Sequence, residues 1–86
     1  MYESPQQRDA KLSSALGMLC ASVREEGYYA TNYGSTLGSY RVEFARKVKG
    51  RVVELGQLAI KSFGPVVLTG PVPQEIRALC AGLVVP

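Results

Sequence analysis

VEFARKVKGRVVELGQLAIKSF, residues 42–63, decides the fold, because its apolar residues fit two different periods. On a helical wheel Phe44, Ala45, Val48, Val52, Leu55, Ala59 and Phe63 share one face, and Glu43, Arg46, Gly50, Glu54, Gln57 and Lys61 the opposite one. Gly64-Pro65 then stops such a helix. Read with period two, Tyr40, Val42, Phe44 and Val48 fall on one face of a strand, with Arg46 as the exception. Lys49-Gly50 then makes a tight turn, and 51–55 return as a second strand rich in β-branched valine. The longer wheel and the clean terminator favour the helix. Two internal glycines oppose it, each costing up to about 1 kcal/mol relative to alanine.

The flanks are simpler. Ser4-Pro5 reads as an N-cap followed by proline at the first helical position. Leu12, Ala15, Leu16, Leu19 and Val23 then recur at three- and four-residue steps, and Gly27 ends that helix. Residues 28–38 lack periodicity and read as a loop, unusual in holding Tyr28, Tyr29 and Tyr33, with Tyr40 close behind. Residues 66–69 are a short strand or an apolar connector. Pro73 suits the first position of a short amphipathic helix marked by Ile76, Leu79, Cys80 and Leu83.

The expected architecture is therefore a mainly α single domain spanning 1–86. Two long helices (about 5–26 and 40–63) form an antiparallel pair closed by a short third (about 73–83). The alternative is α+β, with a hairpin over 40–55 packed on the first and last helices.

Charge is localised. The chain carries +3, but between Arg41 and Lys61 there are six bases and two acids. The remaining residues hold four bases and five acids, so basic character belongs to the middle segment. The composition is 47% hydrophobic and 20% charged, which leaves little polar residue to cover a small surface.

Catalytic chemistry finds little to work with. The absence of histidine removes Ser-His-Asp and Cys-His catalysis, histidine metal sites and the usual proton shuttle near neutral pH. Asp9 is the single aspartate, and adjacent Glu25 and Glu26 point in different directions on a helix. Gly34-Ser-Thr-Leu-Gly38 lacks the lysine and spacing of a phosphate loop. Cys20 and Cys80 lie in apolar helical surroundings and read as buried structural thiols. Nothing suggests an enzyme, a cofactor, a metal site or a small-molecule substrate.

No uncharged stretch approaches the ~20 apolar residues of a membrane span, and no signal peptide is evident. The expectation is a cytoplasmic protein, or one made inside a host cell.

Two functions follow. The first is a non-enzymatic interaction or assembly subunit: a homo-oligomer, a component of a larger complex, or an inhibitor docking on a partner protein. Its contacts are Tyr28, Tyr29, Tyr33 and Tyr40 with the apolar C-terminal Val84 and Val85. It rests on a helical apolar arc too wide for the chain to cover. The second is a small nucleic-acid-binding protein that uses Arg46, Lys47, Lys49 and Arg51, with tyrosines stacking on bases. That reading gains force if the basic residues gather on a hairpin.

Overall fold

A four-residue capping box starts the chain's first element. In the computed structural model, which describes residues 4–36 and 38–83 (Ser35 by its backbone alone), the Ser4 hydroxyl accepts from the Gln7 N–H at 3.2 Å. The Gln7 side chain in turn accepts from the Ser4 N–H at 2.9 Å. Helix α1 (Pro5–Glu25) follows and buries Leu12, Leu16, Leu19, Cys20 and Val23. Gly27, at φ 93°, turns the chain after it.

The rest is mostly sheet. Strands β1 (Tyr29–Thr36), β2 (Ser39–Val48), β3 (Arg51–Ile60) and β4 (Val66–Thr69) form an antiparallel sheet in chain order, and helix α2 (Gln74–Ala81) follows. The fold is α+β and not a helical bundle. The expected 40–63 helix is a hairpin, and the expected 28–38 loop contains strand β1. Pro73 caps α2 from outside instead of opening it.

The local reason lies at Lys49 and Gly50. Both have positive φ, 50° and 80°, as a two-residue type I′ hairpin turn requires. No helix passes through such a pair. The tertiary reason is burial. Alternation puts Tyr40, Val42 and Phe44 of β2, with Leu58 and Ile60 of β3, against the two helices. Ala30, Leu55, Val72, Ile76 and Cys80 complete that core. A period-two pattern thus buries one sheet face under one helix layer, and a 40–63 helix would have lacked a partner of that width.

The two ends of the sheet differ. At one end Phe63 donates its N–H to the Gly38 carbonyl at 2.9 Å, joining the β3–β4 turn to the β1–β2 turn. At the other end β1 pairing stops at Ala45 and β4 pairing stops at Gln57. Residues 46–53 therefore continue as a two-stranded ribbon with no flanking strand. Four residue rises make it about 13 Å long. The molecule measures 51 × 19 × 17 Å. Its 5800 Å² of accessible surface exceeds the about 5,000 Å² expected of a globular chain this size. Among the described residues no helix is long and apolar enough to cross a membrane.

Candidate nucleic-acid interface

A β-bulge marks where the ribbon leaves the sheet. Phe44 pairs with Gly56 and Ala45 with Glu54, so Leu55 is the extra residue on β3. Beyond it the register is Arg46 with Val53, Lys47 with Val52, and Val48 with Arg51. Directly opposed residues share a face. One ribbon face therefore carries Arg46, Val48, Arg51 and Val53, continuing the helix side of the sheet. The other carries Lys47 and Val52 and continues the outer face. Lys49 stands at the tip.

This accounts for Arg46, the exception in the strand reading. Although Arg46 is on the apolar side of β2, its side chain meets solvent, and its charge reaches the Tyr28 phenol. Arg46, Lys47, Lys49 and Arg51 are all exposed, and among the described residues none of them forms a salt bridge. Within 46–53 no carboxylate offsets them. Four cations on a strip two strands wide make a concentrated positive field, whereas a helix would have spread them around its circumference.

Lys49 is informative by its conformation. Position one of a type I′ turn favours Asn, Asp or Gly, because their steric cost at positive φ is low. Lysine there sacrifices some local stability and gains a charge at the tip of the ribbon.

The ribbon also exposes apolar surface. Val52 is 66% accessible, and Val48 and Val53 are exposed beside it. The sequence did not mark these valines as surface residues: the helical period put Val48 and Val52 on its apolar face, and the strand period put Val48 with Tyr40, Val42 and Phe44. Only the end of the β1 and β4 pairing shows that no core reaches them.

The four tyrosines separate. Tyr40 is buried, donates its hydroxyl to the Asp9 carboxylate of α1, and lies 6.2 Å from the Phe63 ring. It is a core residue, 4% exposed. Tyr28 is half-buried on the helix side, where its O–H donates to Glu75 of α2 at 3.3 Å. Partial burial and the Glu75 carboxylate push that phenol's pKa up.

Tyr29 and Tyr33 fall on the outer sheet face, 48% and 54% exposed. The Tyr33 O–H donates to Glu43 at 2.9 Å, and this hydrogen bond is the main cause of its raised pKa. The Arg41 guanidinium sits 4.3 Å from the Tyr33 ring centre and 3.5 Å from Glu43. Arg41 was not a predicted site residue. Alternation put it on the outer face, but its contact with Tyr33 depends on β1–β2 register. Val84 and Val85 lie outside the described residues.

Cys20 and Cys80 are free and buried where α1 meets α2. Burial pushes both thiols up, Cys80 to about 11, so neither has the lowered pKa of a nucleophile. Among the described residues no three His, Cys, Asp or Glu side chains gather as a metal site. Comparison with family models, curated proteins and solved structures gives no significant match.

Proposed function

We propose that this is a non-enzymatic nucleic-acid-binding protein that grips the phosphate backbone with its 46–53 ribbon. One observation carries the reading. Arg46, Lys47, Lys49 and Arg51 lie exposed together within residues 46–53, a stretch that holds no acid and that neither edge strand flanks. A two-stranded β-ribbon has the width to enter the major groove of duplex DNA. Lysines at the sides and tip suit phosphates, and the arginines add planar donors.

The assembly-subunit reading loses its main support with the helix. Of the residues that made its apolar face, Phe44 and Leu55 are buried in the chain's own core and Phe63 packs against it. The exposed valines of the ribbon still favour a protein contact as the second reading. Charge on an unprotected ribbon also prevents pairing with other strands. The test must separate that role from phosphate binding.

Replacing Lys47 and Lys49 by glutamate does so, since a charged edge is retained and only its sign changes. Fluorescence anisotropy with labelled oligonucleotides is the measurement. The wild type binds at about 50 mM salt and weakens steeply toward about 200 mM, with a log–log slope near −3 to −4 for four phosphate contacts. The double variant stays soluble and folded and loses binding. Absence of binding by the wild type at the lower salt sinks the reading, as does undiminished binding by the variant. Light scattering addresses the second reading: a defined oligomer that forms equally with the variant supports it.

A further inference from the structure

We propose that the outer sheet face beside the ribbon takes unpaired bases, so that the preferred ligand is a single strand and not a perfect duplex. This rests on the ribbon as the phosphate contact and adds what lies next to it. The outer face is covered by neither helix, and its β1 edge presents Tyr29 and Tyr33 outward with only Thr31 between them on that face. Four residues of strand separate the two rings by about 13 Å.

The rings are unlike in a useful way. Tyr29 lies opposite Ala45, whose small side chain leaves the ring unobstructed on its β2 side. No hydrogen bond, ion pair or ring contact engages Tyr29 among the described residues. Tyr33 is held in place: Glu43 fixes its hydroxyl and Arg41 lies against its ring. The outward plane of that guanidinium is a second stacking surface, since arginine planes accept bases as aromatic rings do.

Charge on this edge fits a strand with phosphates. Lys47 continues the same face two residues past Ala45, and Arg41 lies beside Tyr33. The nearest carboxylate, Glu43, already accepts from Tyr33 and pairs with Arg41. Glu54 is two strands away from Tyr29, about 10 Å across the sheet. A strand whose phosphates follow Lys49 and Lys47 would therefore pass its bases over Tyr29 and then over the Tyr33–Arg41 pair. Bases in an intact duplex stay stacked on one another and cannot reach these surfaces.

Three probes of equal length test this: a single strand, its duplex, and the single strand with abasic sites that keep every phosphate. Stacking predicts that the single strand binds about tenfold more tightly than the abasic strand. It also binds more tightly than the duplex. Tyr29→Ala removes most of the difference between normal and abasic strands, while Tyr29→Phe keeps it, because stacking needs the ring and not the hydroxyl. The abasic comparison uses wild-type protein and is independent of any folding effect of a variant. Equal affinity for the three probes overturns this inference and leaves the ribbon reading standing. Failure to bind any of them overturns both.

Discussion

Gly56 of β3 and Gly70 at the end of β4 pass so closely that a methyl on Gly70 would lie 2.8 Å from the Gly56 Cα. A methyl on Gly56 would fall 2.2 Å from the Thr69 carbonyl oxygen and 2.8 Å from Val72. Gly56 also has φ 104°, outside the range that side chains tolerate, and it sits at the bulge where the ribbon leaves the sheet. Gly56→Ala therefore combines backbone strain with overpacking and should cost about 2–4 kcal/mol. Denaturant unfolding followed by circular dichroism measures this. A loss below about 0.5 kcal/mol would mean that the bulge is not built as described.

Lys49→Asn places the preferred residue in the type I′ turn and should stabilise the protein by a few tenths of a kcal/mol up to about 1. The same change removes the tip charge, so nucleic-acid affinity should fall and the salt slope become shallower by about 1. Melting temperature and binding then move in opposite directions. A variant that is both more stable and unchanged in affinity shows that Lys49 touches no phosphate.

Cys80 ties stability to alkaline pH. Its thiol, ordinarily near 9.0, holds its proton to about 11 because burial disfavours the thiolate. Below about pH 7.5 the group is neutral in folded and unfolded chains and its contribution is complete. As pH rises from there toward 11, the unfolded chain releases the proton and the folded one retains it. Stability then declines by up to about 1.4 kcal/mol per pH unit. Cys80→Ala should start about 1 kcal/mol less stable and show a smaller drop in melting temperature between about pH 8 and about pH 10. An identical drop in both proteins assigns the alkaline loss elsewhere.

The Tyr40 hydroxyl joins the sheet to α1 through Asp9. Tyr40→Phe keeps the buried ring beside Phe63 and removes only the donor, so the expected loss is about 1–2 kcal/mol. Binding of oligonucleotides should not change, because Tyr40 faces the core and the proposed ligand faces lie elsewhere. An altered affinity with unaltered stability would move Tyr40 from the core to the interface.

The two ends of the chain were legible from local chemistry. Ser4, Pro5 and Gln7 settle where α1 begins, Gly27 where it turns, and Ile76 and Cys80 which side of α2 is apolar. Each of these depends on residues within one helical turn, so neighbours suffice. The cationic residues of the proposed interface were visible in the same way, as a charge excess confined to the middle segment. Tyr29 and Tyr33 were visible as aromatic residues but not as a pair on one face, since β1 has no alternating apolar pattern: its outer side is tyrosine and threonine, and inward Ala30 is small.

Between Val42 and Phe63 the order of residues left two answers, because the same valines, phenylalanines and leucines satisfy periods of 3.6 and 2. Pairing resolved it. Strand β2 gains hydrogen-bonded neighbours on both sides, from β1 and β3, and a helix layer over one face. These contacts come from residues distant along the chain and are invisible to any local window. The same pairing ends at Ala45 and Gln57, and that boundary alone turns eight residues of a hairpin into an exposed cationic arm.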